Sequence, residues 1–351
     1  MESLKNALRA ALATARMAYG ALVYLATRRT PAYAYQGMIR LFMISGGRSN
    51  DLFAQFITLI HRPYRLPKTS GVLGDFAESD LARVTADLRV RGYHRFERRL
   101  PPDLCDQLLK FALTQPAQIR PSDEDSGLDT AARSAVYDRE SPQGIVYDFH
   151  PENLINHPDV QRLMGDLSII AVAQAYLGAK PVLDSVNLWW TTVSRRADSQ
   201  AAQLYHFDMD RVRWLKFFIY LTDVGPENGP HCFVASSHRS GGIPSHLLSK
   251  GYVRHGDEEV AACYSPDDLI EFTGPRGTIL AEDTRGLHKG KPVSSGDRLI
   301  FEFEFSNSLF GASPPNVARL SVFHSKSFQE FVDAHRRIYG RWMPPTKAAI
   351  T

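Results

Sequence analysis

From Pro181 onward the chain is a succession of short runs dense in Val, Ile, Phe, Tyr and Thr: "PVLDSVNLWWTTVS", "QLYHFDMD", "WLKFFIYLTDV", "HCFVASS", "LIEFTG", "GTILAED" and "RLIFEFEF". Turn signals such as "GPENGP" and "SSGD" stand between them. Many short strands at this density predict a sandwich or barrel of the jelly-roll kind. The first half reads differently. "SDLARVTADLRVRGY" opens with a capping-type Ser-Asp and repeats apolar residues at helical spacing, and "PPDLCDQLLKFALTQP" carries Leu104, Leu108, Leu109 and Phe111 between bounding prolines. "HPDVQRLMGDLSIIAVAQAYLG" reads as one or two helices ending at a C-cap glycine, Gly178. Arg120 to Asp129, "RPSDEDSGLD", is polar and turn-rich and reads as a surface loop. With a helical tail, "SKSFQEFVDAHRRIYGRW", the expected class is α+β: a helical first half packed on a β-sandwich.

A length of 351 residues suits two domains or one enlarged domain, and 44% hydrophobic with 23% charged residues supports a sizeable core. The net charge of +3 is too small to argue for nucleic acid, but it is unevenly spread. Up to Leu66, nine Lys/Arg oppose only Glu2 and Asp51, which is +7, so the remainder carries 3 − 7 = −4. Lys5, Arg9 and Arg16 recur at spacings of four and seven, which puts them on one stripe of a helix beside an apolar stripe of Leu4, Leu8 and Ala15. A solvated basic face is the plainer account of this charge; the helix itself also suits docking on the domain, on a partner or, peripherally, on a bilayer, and these destinations stay open. The uncharged run Met17 to Thr27 is too short to span a bilayer, and the amphipathic spacing around it favours a helix over a signal peptide. Cys105, Cys232 and Cys263 form neither a disulfide framework nor a CxxC knuckle, which fits a reducing, cytoplasmic location.

Within the β-rich half, "YHFDMD" sets His206, Asp208 and Asp210 at alternate positions, on a common face if the stretch is extended. Polar groups on a buried strand face need compensation. Two ligands at i and i+2 can grip a metal from one side. A third must come from elsewhere, and His231, His238, His246, His255 and His288 are available. His288 stands out by its setting, strand, tight loop, histidine, turn, strand, with Arg298 ten residues later. Two histidines and a carboxylate would leave positions on iron(II) open for a bidentate cosubstrate and O₂. Arg298 would reach the same cavity and pair with an organic carboxylate. Taken alone, His206 and Asp208 fit a buried His–Asp hydrogen bond equally well. The phase of Arg298, Ile300, Glu302 and Glu304 against Phe301 and Phe303 does not choose between a cavity lining and a solvated face. The row Lys216, Phe218, Tyr220 is a further candidate lining.

"YHFDMDRVRWLKFFIYLTDVGPENGPHCFVASSHRSG" followed by "GLHKGKPVSSGDRLIFEF" resembles the phytanoyl-CoA dioxygenase family of iron(II)/2-oxoglutarate oxygenases, whose pattern runs His-x-Asp, LxDV…ENGP…GSH, then a distal His with Arg about ten residues on. The resemblance covers roughly Asp87 to Asn307 and includes "RGYHRFERRLPPDLCDQLLKFA". It implies a double-stranded β-helix (jelly-roll, cupin-like) core at about 181–307 within an oxygenase domain 75–351, preceded by a basic helical extension 1–74. It implies that His206, Asp208 and His288 ligate Fe(II) and that Arg298 holds the distal carboxylate of 2-oxoglutarate. Phe218 stands where many relatives have tryptophan, and Asn187 and Thr191 are candidate cosubstrate contacts. O₂ would be the second cosubstrate and ascorbate a reductant. Because halogenating relatives lack the carboxylate, Asp208 points to hydroxylation of a C–H bond in a small metabolite, sugar or natural-product intermediate, with desaturation and ring closure still open. Ser236 departs from the family's glycine in "GSH". No acyl-CoA phosphate-binding run is evident. Two other classes share the same residues: a non-catalytic cupin-like metal-binding module, and a zinc hydrolase, for which no general base is placed.

Overall fold

A computed structural model of the chain describes residues 2–123, 133–194, 197–313 and 318–343. The surface loop expected over Arg120–Asp129 therefore lies mostly outside the described residues. Three helices open the chain, α1 (Glu2–Thr27), α2 (Ala32–Ser45) and α3 (Arg48–Ile60), followed by a hairpin of β1 (Ser70–Gly71) and β2 (Gly74–Asp75). Next come α4 (Glu78–Arg91), β3 (Tyr93–Arg95), α5 (Pro102–Thr114), β4 (Pro116–Ile119), β5 (Ser134–Val136) and β6 (Val146–Asp148). Helices α6 (Pro151–Ile155), α7 (Pro158–Met164) and α8 (Leu167–Leu177) lead into β7 (Val182–Thr192), β8 (Trp214–Tyr220) and β9 (His231–Val234). Then follow α9 (Ser245–Leu248), α10 (Asp257–Ala261), β10 (Leu269–Phe272), β11 (Ile279–Glu282), β12 (His288–Gly290), β13 (Asp297–Ser306), α11 (Lys326–Ala334) and α12 (Arg336–Tyr339).

The strands form a large antiparallel sheet of eight, in the order β3-β11-β8-β13-β7-β6-β4-β5, and a small one of three, β10-β9-β12. Period-two alternation organises both. On β7, β8 and β13, Val186, Leu188, Trp190, Leu215, Phe217, Ile219, Leu299, Phe301, Phe303 and Phe305 point away from the small sheet, into one core with α4 to α8, α11 and α12. The opposite faces meet in a smaller core, where Phe218, Tyr220 and Ile300 of the large sheet touch Phe233 and Phe272 of the small one. The Arg298 face of β13 is thus the inner face, and the phenylalanine face lies under the helices. Register aligns Phe218, Glu302 and Asn187 in one row across β8, β13 and β7, and Lys216, Glu304 and Ser185 in the next.

Helix ends follow local chemistry. Asp166 caps α8 by accepting from the Ser168 and Ile169 amides, and Gly178 ends that helix at φ +66°. α4 starts after Ala77, whose amide donates to the Asp80 carboxylate at 3.2 Å, so the Ser79-Asp80 signal caps from within the first turn.

The structure differs from the sequence expectation in two ways. The helical first half also contributes β3 to β6, three or four residues each, which widen the large sheet. Runs that short contain no measurable hydrophobic period. "QLYHFDMD", expected as a strand, forms none. It makes isolated bridges only, Tyr205 with His255 and His206 with His288, and the Asp208 amide donates to the Thr284 carbonyl at 2.8 Å. Its partner β12 is three residues long, so no ladder can extend.

The N-terminal helices cover the outer side of this segment. Met38, Phe42 and Ala54 share a core with Phe207, Met209, Val234 and Leu287, and the Phe42 ring lies on that of Phe207 at 5.6 Å. Among the described residues no helix is long and apolar enough to cross a membrane.

Candidate metal centre

The alternation that buries Phe207 and Met209 under α2 turns His206 and Asp208 the other way, toward the large sheet. His288 arrives from a tight loop. The Gly286 amide bonds the Asp283 carbonyl at 3.0 Å, and Asp283 is held by the Arg285 guanidinium at 2.7 Å. A Cβ on Gly286 would lie 2.6 Å from the Phe233 ring and 2.7 Å from the Ser237 hydroxyl, so the loop passes where only glycine fits. Ser237 accepts from the Leu287 amide at 2.8 Å, and in this way the "SSH" segment braces the residue before His288. His238 bonds the Arg89 carbonyl through Nε2 at 3.2 Å and supports the end of α4.

His206 and His288 bond each other's backbones at 3.0 and 2.8 Å, and their ring centroids are 4.3 Å apart. The Nδ1 of each meets the carbonyl two residues earlier, Leu204 or Gly286, at 2.9 Å. A carbonyl only accepts, so both Nδ1 atoms carry the proton and both Nε2 atoms present a lone pair. These lone pairs face Asp208, with His206 Nε2 3.9 Å from Oδ1 and His288 Nε2 3.6 Å from Oδ2. Burial, with the neighbouring His288, holds His206 well below the ordinary imidazole range, and burial brings His288 down to about 4. At neutral pH these are therefore not ion pairs. Burial works to raise the Asp208 carboxyl, but the Lys216 ammonium hydrogen-bonded to it outweighs burial and holds the group well below the carboxylate range. Three electron-pair donors thus converge within 4.8 Å of one another, an arrangement that calls for a cation between them. Lys216 Nζ donates to Asp208 Oδ2 at 2.8 Å and lies 3.6 Å from Glu304.

The triad opens into a cavity of about 260 Å³ between the sheets, lined also by Asn187, Trp189, Phe218, Arg298 and Glu302. Arg298, 3% exposed, donates from Nη2 to the Thr191 hydroxyl at 3.4 Å. Its Nε and Nη1 have no partner among the described residues. Gly290 leaves the guanidinium its place, since a Cβ there would sit 3.0 Å from Nη2. Asn187 donates from Nδ2 to Glu302 at 3.0 Å and to Ser185 at 3.3 Å, so what it offers the cavity is its carbonyl oxygen.

No protein-family model matches the sequence, and a search of curated proteins finds no match. Among solved structures, the chain is similar to the non-heme alpha ketoglutarate dependent epimerase SnoN from nogalamycin biosynthesis, at 18% identity, covering 65% of this chain and 84% of that one, with a TM-score of 0.44. It is also similar to EctD from S. alaskensis with bound Fe, at 19% identity over 72% and 88% of the two chains, TM-score 0.44. A third is EvdO2 from Micromonospora carbonacea var. aurantiaca complexed with 2-oxoglutarate, at 14% identity over 66% and 91%, TM-score 0.43. These likenesses are loose, and the function of this chain is read from its own side chains.

Of the histidines open as third ligand, only His288 joins the triad. His231 lines the cavity, but its Nε2 is engaged by Glu282 at 2.7 Å. Burial lowers the imidazole to about 3 and raises the carboxyl well above its usual range, so the pair is neutral with the proton on Glu282. His255 meets Glu259 at 3.1 Å and His246 meets Cys263 at 3.5 Å, both outside the triad. Asp210 stays outside as well. Burial, with the Asp208 charge beside it, raises it to about 6. The phenyl ring of Phe218 lies 4.5 Å from that of His231.

Two features, one in the cavity wall and one behind it, were not anticipated. Arg120 and Asp148 form a two-pronged pair at 2.9 and 2.6 Å in the cavity wall. They come together only because Gln118 on β4 registers with Asp148 on β6. Glu282, from β11, had no sequence signal beyond lying in a strand.

Proposed function

We propose that the chain is an iron(II)- and 2-oxoglutarate-dependent oxygenase with a double-stranded β-helix core, and that it hydroxylates an unactivated C–H bond of a small molecule. The observation that supports this is a single cavity holding both a metal-ready His206–Asp208–His288 triad and a buried Arg298 guanidinium that has no carboxylate partner, and whose Nε and Nη1 have no partner at all, among the described residues. Two imidazoles and one carboxylate on one side of the site fit non-haem iron(II), and an unpaired guanidinium fits the distal carboxylate of a keto acid. When bound, iron with 2-oxoglutarate and O₂ would supply an oxidant strong enough for C–H bonds: as 2-oxoglutarate loses CO₂, one oxygen atom of O₂ ends in succinate and the other in the hydroxylated substrate. The protein does the rest. His206, Asp208 and His288 hold the ion, and Lys216 keeps the second oxygen of Asp208 occupied, which fixes the carboxylate's orientation. Arg298 with Thr191 receives the cosubstrate's far end, and Phe218 covers its chain. The Asn187 carbonyl faces the cavity as an acceptor and suits a hydroxyl of the substrate better than a carboxylate.

Glu302, Asp148 and the Asn187 carbonyl make the remaining wall rich in acceptors. A volume of about 260 Å³ lies at the small end for ligand sites. Both favour a compact, hydroxyl-bearing metabolite, sugar or natural-product intermediate over a long acyl chain.

Incubation of the protein with Fe(II), 2-oxoglutarate and ascorbate should release succinate slowly even without the substrate, and His206→Ala should abolish it. Iron-loaded, folded protein that makes no succinate would instead be a metal-binding module.

A further inference from the structure

Of the eighteen exposed large apolar side chains among the described residues, eleven lie between Leu8 and Ile60. On α1 they are ordered. Leu8, Leu12, Tyr19 and Leu22 fall on one helix face, 71%, 48%, 62% and 65% exposed. A different face of α1 meets α2, through buried Ala13 and Met17 and through Gly20, where a Cβ would come 2.1 Å from that of Ala34. Arg9 and Arg16 run along the seam between the two faces, both exposed. Helix α3 repeats the pattern with exposed Leu52, Phe56 and Leu59 on one side.

Among the described residues no acidic side chain pairs with Arg9, Arg16, Arg28 or Arg29. The region's acid beyond Glu2, Asp51, is taken up by Arg213 and Arg285 of the β-rich half at 2.6 and 3.0 Å. A second copy of the chain meeting this face across a two-fold axis would set a +7 segment against itself. An anionic lipid surface answers both properties: headgroups at the arginine level and acyl chains under a continuous apolar stripe. A 26-residue helix, about 39 Å long at 1.5 Å per residue, lies in such an interface without crossing it.

We propose that the outer face of α1 docks the protein in-plane on an anionic bilayer. The metal segment rides on the same unit, because Phe42 of α2 stacks on Phe207, between His206 and Asp208. The site therefore sits at a set distance from the surface. The docking stands independently of the metal chemistry.

The test is flotation of the full chain with vesicles of phosphatidylcholine alone or with about one-third phosphatidylglycerol. Binding to the anionic vesicles should be at least ~10-fold tighter than to the neutral ones and should weaken with salt. The double variants Leu12→Glu/Leu22→Glu and Arg9→Glu/Arg16→Glu should each lose at least ~10-fold, with unchanged circular dichroism and unchanged substrate-free succinate release in solution. Failure of the wild type to float with either vesicle, or wild-type-like binding by both variants, overturns the proposal. So does a wild-type dimer in analytical ultracentrifugation that Leu12→Glu/Leu22→Glu dissociates, which would assign the stripe to self-association.

Discussion

Arg298 is the residue whose surroundings fit least with a purely structural role. A buried guanidinium with two unanswered donors costs folding stability. Arg298→Leu should therefore leave the metal-free protein at least as stable as wild type. It should weaken 2-oxoglutarate binding by about 1.5–3 kcal/mol, roughly 10- to 100-fold, through loss of a charge-assisted pair. Denaturation curves measured beside a cosubstrate titration of the iron-loaded protein check both halves. Lower stability with unchanged cosubstrate affinity would make Arg298 a structural residue. Ser236 carries a smaller lesson. It adopts φ +65°, the left-handed region that glycine occupies freely. Its hydroxyl donates to the Val90 carbonyl at 2.8 Å, an interaction that glycine lacks. Comparing Ser236→Gly with Ser236→Ala isolates the backbone cost, since neither keeps the hydroxyl. The glycine variant should be more stable by about 1 kcal/mol, read as a higher Tm.

Among the elements, α3 is tied to the β-rich half by one carboxylate. Asp51 accepts from Arg213 at 2.6 Å, Arg285 at 3.0 Å and the Ser240 hydroxyl at 2.6 Å. Burial works to raise its pKa, but Arg285, Ser240 and Arg213 bring it down to about 2. A depressed carboxyl stabilises fully above its unfolded value, 3.8 here, and the contribution disappears as pH falls through about 2. The stability gap between wild type and Asp51→Asn should accordingly be constant above about pH 5 and close between pH 4 and 2. Urea midpoints across that range measure it, and a gap independent of pH would show that the tie is not ionic. The strands show why part of the site could not be read beforehand. The alternation of β13 is plain in "RLIFEFEF", yet a strand with charges on one face and phenylalanines on the other looks the same whether the charges face water or a cavity. Helices covering the phenylalanines decided the matter.

For the molecule as a whole, the N-terminal helices and the metal segment share one core. Phe207 is fully buried in it, directly between two proposed ligands. Phe207→Ala should cost about 3–5 kcal/mol as a core cavity. It should also loosen iron binding, because the backbone that aims His206 and Asp208 loses its backing on α2. A denaturant midpoint together with an iron titration tests the coupling. Lower stability with unaltered iron affinity would mean that the bridges to His288 and Thr284 alone hold the segment.

The sequence by itself determined the donors and their order. His206 and Asp208 at alternate positions, His288 after a glycine turn and Arg298 at the start of the next strand are chemical facts of the chain, and period-two geometry carries them into three dimensions. The class of the β-rich half was legible for the same reason, since short alternating runs bounded by turns leave few ways to bury one face. Tertiary structure alone decided which histidine completes the triad, which face of β13 is the inner one, and that Arg120 meets Asp148 and His231 meets Glu282. Each of these depends on contacts between segments distant in sequence, through register within a sheet or through the packing of one sheet on the other. Register is set by the packing of both sheet faces at once, and no local run of residues contains that information.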